Sequence, residues 1–294
     1  MSIALRVQGL HLSYTGKIAG QQTSSSLACA FLCAEMIADA SEIAIAADFD
    51  RAKVEADAEI WAELNGLPTR LRVRHSADFT RIGNADIALF VARDGQLALL
   101  NGPKLDTPQS AERIRTWLFG PALILALARQ GVYCLHASSI LLQGRAYVLI
   151  GRSGAGKSTL ARAAQTPLTD DISPIGNSIL LPQFPQLKLH GDSYPNLAES
   201  YPLGGFVHVM RSPSAQESLS AMDAPTLTRL LLSHTIAARL FHADELAPHL
   251  RWCAQIAEKF AASSTVLIPS YQANVPMRAA KSALALLDAF AASR

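Results

Sequence analysis

Charge is scarce and unpatterned in this chain: only 17% of residues are Asp, Glu, Lys or Arg, and the net charge is +2. No basic run and no ladder of basic and aromatic residues occurs, so a nucleic-acid partner is not expected. Cysteine is sparse as well. Cys29, Cys33, Cys134 and Cys253 lie in apolar surroundings without metal-type pairing, which argues against a disulfide framework or a zinc site and for buried, reduced thiols. Long apolar runs are missing too. The most apolar early stretch, Leu27 to Ala40, starts far from the N-terminus, lacks a cationic lead and contains Glu35, so neither a signal segment nor a membrane span is expected. The expectation is a cytoplasmic chain with no membrane partner. What the chain does have is apolar bulk: 50% hydrophobic residues over 294 positions suffice for one large or two ordinary domains, each with a core.

One stretch stands out against this background. Gly151-Arg-Ser-Gly-Ala-Gly-Lys-Ser158 follows the apolar run Ala146-Tyr-Val-Leu-Ile150 and precedes Thr159-Leu-Ala-Arg-Ala-Ala164. This is G-x-x-x-x-G-K-S between a strand pattern and a helix pattern, the spelling and the setting of a phosphate-binding loop. Glycines let the backbone turn and aim successive N–H groups at one anion, to which the start of the helix adds its own. The candidate nucleotide-binding residues are Gly151, Ser153, Gly154, Ala155, Gly156, Lys157, Ser158 and Thr159. Lys157 is placed to reach the outer phosphates, and the Ser158 hydroxyl to ligate Mg²⁺.

The segment from Met1 to about Leu118 reads as a small α/β module. Ile3 to Val7 and Glu42 to Ala46 look like strands with a helix over Leu27 to Ile37 between them, and Arg51 to Leu64 has helical spacing through Val54, Ala58, Ile60 and Trp61. Arg70 to His75 alternates as a strand should, and Asp94-Gly95 marks a hairpin within Ile87 to Leu100. Pro103 to Pro108 punctuates the chain, giving an N-terminal accessory domain over 1–108 and a nucleotide-binding domain over 109–294. Within the second domain a helix is predicted from Ala111 to Arg129, ended by Gly131. Val132 to Leu142, a turn at Gln143-Gly144 and the strand before the loop form a hairpin, which predicts His136 on the strand beside the one ending at Gly151. Gly204 to Met210 and Thr265 to Ile268 read as strands. Pro225 to Phe241, Leu246 to Phe260 (Leu250, Cys253, Ile256 and Phe260 inward) and Ala279 to Phe290 read as helices.

After the loop comes Pro167-Leu-Thr-Asp-Asp-Ile172. Two adjacent carboxylates behind a phosphate loop suit phosphoryl transfer: one holds Mg²⁺, and the other accepts a hydroxyl proton. The run Leu135-His-Ala-Ser-Ser-Ile140, then Gly144, Gly151 to Thr159, and Thr169-Asp-Asp-Ile172 resembles the catalytic core of the HPr serine kinase family. More narrowly, it is similar to the HPr-kinase-like proteins of peptide-modification systems, lasso peptide kinases among them. The resemblance covers about residues 110 to 275 and is specific over 135 to 172. It implies an α/β fold, with a P-loop kinase core of the HPr kinase and phosphoenolpyruvate carboxykinase type and a small N-terminal α/β domain.

Carried over residue by residue, the resemblance implies four catalytic positions, Asp170, Asp171, His136 and Lys157, and a metal site of Ser158, Asp170 and Asp171. Which carboxylate is the base stays open at this point. The implied cofactors are ATP, or GTP, with Mg²⁺. The loop ends Ser158-Thr159 where HPr kinases have Ser-Glu, and their later glycine-rich signature is absent. The expected acceptor is therefore not HPr but another hydroxyl, on a peptide, a protein or a small molecule. The N-terminal domain would recruit it, and homo-oligomers are common in the founding kinases. Lys188 and Arg211 are further candidates for phosphate contact. Two other readings compete with this one. A transporter-type ATPase cassette shares the loop spelling, but its Leu-Ser-Gly-Gly signature does not occur in this sequence. A nucleotide-responsive binding protein without phosphoryl transfer is the alternative.

Overall fold

The computed structural model describes residues 2–7, 10–18, 34–36, 56–64, 67–84, 87–93, 97–101, 116–182, 200–210, 217–269 and 276–294. Its contacts divide the chain into two compact units, Met1–Gly131 with Ala237–His242, and Val132–Ile236 with Ala243–Arg294. The expected boundary at Pro103 to Pro108 lies outside the described residues, as do Glu42 to Ala46, Lys188 and Arg211.

In the first unit β1 (Ser2–Val7), β2 (Leu10–Ile18) and β3 (Ala34–Met36) form an antiparallel sheet. A second sheet is a meander of β4 (Ala56–Leu64), β5 (Leu67–His75), β6 (Phe79–Gly83), β7 (Ala88–Ala92) and β8 (Leu97–Asn101). The helix expected over Arg51 to Leu64 is thus corrected over its described part, 56–64, since β4 pairs along its whole length with β5, Ala56 with His75 through Leu64 with Leu67; 51–55 lie outside the described residues. Ala58, Ile60, Ala62 and Leu64 alternate with Glu59, Trp61 and Glu63, a period of two that competes with the helical spacing. Asn65-Gly66, between the strands, is also a favoured hairpin spelling. Ala34 to Met36, placed in a helix from sequence, likewise pairs with β2 as a strand. The expected helix over 111–129 is present across its described residues but kinked: a π-helical stretch, Leu118–Ala122, leads into α1 (Leu123–Arg129), with Gly120 non-helical and Pro121 after it. Arg129 ties α1 to the meander by donating to the carbonyls of Val91 and Ala92 and to the Thr80 hydroxyl.

The second unit is mixed α/β around a curled sheet. Its elements in order are β9 (Tyr133–His136), β10 (Ser138–Leu142), β11 (Arg145–Ile150), α2 (Lys157–Ala163), β12 (Pro167–Thr169), β13 (Ile172–Gly176), β14 (Ile179–Leu180) and β15 (Tyr201–Val209). Then follow β16 (Ser218–Ala221), α3 (Ala224–His234), α4 (Ala243–Phe260), β17 (Thr265–Ile268) and α5 (Pro276–Ala292). The strand order is β12-β10-β11-β15-β14-β13-β9, with β17 beside β15 and β16 beside β17; β15 runs parallel to β11 and to β17.

Both faces of the sheet are covered, and β11 shows why its sequence is apolar at every step. Ala146, Val148 and Ile150 join a core with Leu227 and Leu231 of α3 and Cys253, Ile256 and Phe260 of α4. Tyr147 and Leu149 join another with Leu160 of α2 and Ala283 and Leu287 of α5. A strand buried on both faces needs apolar side chains in both directions.

Three expectations in this unit are revised. The chain from Val132 to Leu142 is not one strand but two, broken at Ala137, and only β10 pairs with β11. His136 therefore lies on β9, paired to β13, and not on the neighbour of the loop strand. The helix from Pro225 ends at His234, since Thr235 turns extended to bridge Leu135 and the Ile236 N–H donates to the Cys134 carbonyl. On α4, Leu250 is 52% exposed rather than inward. The buried stripe is His249, Cys253, Ile256, Ala257 and Phe260, and Leu250 lies one position, about 100°, round from its first member. Cys134 and Cys253 are buried free thiols as expected; burial pushes Cys253 up to about 12 and Cys134 up as well. Among the described residues no helix is long and apolar enough to cross a membrane.

Candidate active site

The loop leaves β11 at Ile150, where the sheet makes it the end of a central strand. Ile150 lies beside His208 of β15 on one side, and Leu149 faces Ser138 of β10 on the other. Gly151 is pressed against β15, and a Cβ there would run into the carbonyl oxygen of Val209. Arg152, Ser153 and Gly154 are exposed, the Ala155 N–H closes a turn onto the Arg152 carbonyl at 3.0 Å, and the Ala155 methyl is buried. Gly156, with φ of 106°, takes the left-handed position that starts α2. Lys157 is only 7% exposed, and its Nζ donates back to the carbonyls of Gly151 at 2.8 Å and Arg152 at 3.3 Å. Ser158 and Thr159 follow in the first turn, both half-buried.

The paired carboxylates arrive at the same end of the sheet through a single ribbon. Chain 133–142 runs against 167–176, and the register holds through the break: His136 pairs with Ile172, and Ser139 with Thr169. Ala137 and Ser138 are thereby set opposite Asp171 and Asp170, and the Ala137 N–H donates to the Asp171 carbonyl at 3.2 Å. Asp170 is buried. Its Oδ1 accepts the Ser158 hydroxyl at 2.7 Å and the Ser138 hydroxyl at 2.8 Å, while Oδ2 lies 3.7 Å from the Arg162 guanidinium. Asp171 has φ of 81°, a left-handed value uncommon for a non-glycine residue. Its Oδ1 lies 3.3 Å from Nδ1 of His136, with side chains 24% and 42% exposed respectively. The two carboxylates thus face different partners, one inward to α2 and one outward to β9.

Below the break lies a buried hydroxyl cluster. Ser173 donates to the Ala137 carbonyl at 3.1 Å, which leaves its oxygen to accept from Ser139 at 2.9 Å and from Thr169 at 2.6 Å. These three hydroxyls, with Ser138 and Arg162, were not singled out from sequence. Their signal was there: hydroxyl residues inside strands that are otherwise apolar are costly to bury without partners. On the other flank, burial lowers the pKa of His208 below the ordinary histidine value, and nearby His234 lowers it further.

Of the residues expected at the site, Gly151, Lys157, Ser158 and Asp170 come together around α2, and Asp171 with His136 lies along the adjoining ribbon. Ser153 is exposed at the loop tip. Compared with models of known protein families and with curated proteins, the chain matches none.

The donor chemistry fits a hard cation. Among the described residues there is no group of three or more His, Cys, Asp or Glu able to hold a metal by itself. Mg²⁺ seldom uses such a cage; it takes one or two carboxylates and completes its shell with water and substrate phosphates. Ser158 and Asp170 supply oxygen donors of that kind. Because the Ser158 proton is spent on Asp170, the hydroxyl lone pairs remain for a ligand.

Proposed function

We propose that this chain is a kinase that uses Mg-ATP to phosphorylate a hydroxyl acceptor, a serine of a peptide or protein, on a core of the HPr kinase type. One observation carries the reading: Asp170 is hydrogen-bonded to the hydroxyl that directly follows the loop lysine, while its neighbour Asp171 faces the other way beside His136. That arrangement supports one division of the two roles left open by the sequence. Asp170, buried and joined to Ser158, belongs with the cation, and Asp171, the more exposed, is the base.

In this reading Lys157 and the loop amides hold the β and γ phosphates. Ser158 and Asp170 hold Mg²⁺, which when bound offsets the negative charge on the phosphates. Asp171 takes the proton of the acceptor hydroxyl as its oxygen bonds to the γ phosphorus. The bond from that phosphorus to the β–γ bridging oxygen breaks, and ADP leaves. An Nδ1–H of His136 donating to Asp171 orients the carboxylate for that transfer.

The test is transfer of label from γ-labelled Mg-ATP into a pool of serine-containing peptides and a cell extract, with wild type and the Asp170→Asn, Asp171→Asn double variant. Label moved by wild type alone is the expected result. Tight nucleotide binding by both proteins with no label moved by either would replace the kinase with a nucleotide-responsive binding protein.

A further inference from the structure

Asp170 is gripped from two elements that the sequence keeps apart. Ser158 reaches it from α2, and Ser138 reaches the same oxygen from β10, because the ribbon register sets 138 opposite 170. Ser138 is 1% exposed, so its proton has no water to turn to and is committed to the carboxylate. We infer that Ser138 is a positioning residue: its hydroxyl fixes the orientation of the Asp170 carboxylate, so that Asp170 and Ser158 present a preset pair of oxygens to a divalent cation. This rests on the phosphoryl-transfer reading of the site.

Hydroxyl donors on two separate elements hold a carboxylate more firmly than donors on one. With both, Oδ1 is pinned between β10 and α2, and rotation of the carboxylate breaks two charge-assisted hydrogen bonds. Without Ser138 the carboxylate keeps only Ser158 and the exposed Arg162 guanidinium 3.7 Å from Oδ2, both on α2, so it can follow that helix and the oxygens a cation needs must be ordered at the moment of binding. Residues that hold a ligating carboxylate from behind act on metal affinity in this way without touching the metal. A Ser138 that only filled space would behave differently. Ser138→Ala has nearly the same volume and would then change stability and nothing else.

The experiment titrates Mn²⁺, as a spectroscopic stand-in for Mg²⁺, into the full chain saturated with a non-hydrolysable ATP analogue, following the signal of free Mn²⁺. Wild type, Ser138→Ala and Ser138→Thr are compared, together with analogue affinity in the absence of metal. Ser138→Ala is expected to weaken Mn²⁺ binding about tenfold. Its metal-free analogue affinity stays unchanged, and Ser138→Thr, which keeps the hydroxyl, returns the Mn²⁺ affinity to the wild-type value. Equal Mn²⁺ affinity in wild type and Ser138→Ala overturns the role of Ser138 and leaves the kinase reading standing. Wild type that takes up no Mn²⁺ with the analogue overturns both.

Discussion

Replacing Asp170 in two ways separates what it does for the fold from what it does for chemistry. Asp170→Ala removes the acceptor of two hydroxyls, one of them on Ser138, which is 1% exposed. Stranding a buried donor costs about 1–3 kcal/mol. At about 2–4 °C per kcal/mol for a domain of 150–250 residues, a cost near 2 kcal/mol lowers Tm by roughly 4–8 °C. Asp170→Asn keeps an oxygen for both hydroxyls and loses only the ion pair to Arg162, whose side chain is 69% exposed. Such a pair is worth about 0–1 kcal/mol, so the expected change is a few degrees at most. Yet Asn has no charge to offer a cation, and phosphoryl transfer should fall about a hundredfold or more, in line with loss of a preorganised electrostatic group. Thermal unfolding and labelled transfer are measured on the same preparations. Equal destabilisation by Ala and Asn would refute the hydrogen-bond assignment, and wild-type transfer by Asp170→Asn would refute the role given to Asp170.

Gly151→Ala drives a methyl against the Val209 carbonyl, a backbone atom that cannot swing aside; a cost of about 1–3 kcal/mol and weaker nucleotide binding are expected by thermal shift with and without ATP, and unchanged values would mean the close approach is absent. His249 is buried, and burial holds its pKa below the ordinary 6.5, so between those two pKa values the unfolded chain binds more protons than the folded one. Its contribution is complete above the ordinary pKa and is lost as pH falls from there through the folded pKa; Tm should drop with acidity in that range, and less steeply in His249→Gln, with equal slopes counting against the assignment. Ile256→Ala should cost about 2–5 kcal/mol and Leu250→Glu less than about 0.5 in urea unfolding, and the reverse order would restore the inward Leu250.

The fold was most legible where local and global preferences agree. β11 and β15 are apolar at nearly every step because helices cover both faces, and a strand buried on both sides has no other option. Around the loop, strand, turn and short helix follow the glycines and the lysine as expected. Legibility failed where two periods fit one segment. Arg51 to Leu64 satisfies a helical spacing, while its second half also alternates, and pairing with β5 decided between them. The end of α3 failed for another reason, since the bridge from Thr235 to Leu135 is a tertiary contact that no helical period contains.

The site was legible as a set of residue types and illegible as a geometry, and the reason lies in one backbone angle. The alternation of side chains along a regular strand cannot be applied across Asp170 and Asp171, because they do not lie on one regular strand. The chain instead breaks between β12 and β13, and Asp171 takes a φ of 81° there. The partner segment breaks at the matching place, at Ala137 between β9 and β10. The two segments stay paired with each other through the kink but part to different neighbours: β10 lies between β12 and β11, and β13 lies between β9 and β14. Consequently Asp170 closes on Ser158, and Asp171 remains at the more open side with His136. A left-handed aspartate and buried Ser139, Thr169 and Ser173 are costly features, and the hydroxyl cluster satisfies the polar groups that the kink would otherwise leave without partners. Ser173→Ala should therefore disturb more than local packing. With the central acceptor gone, Ser139 and Thr169 lose the oxygen they share and Ala137 loses a donor. A change in the pH dependence of transfer in that variant, beyond a lower Tm, would show that the cluster holds the angle between the two carboxylates; a lower Tm with an unchanged pH profile would confine it to stability.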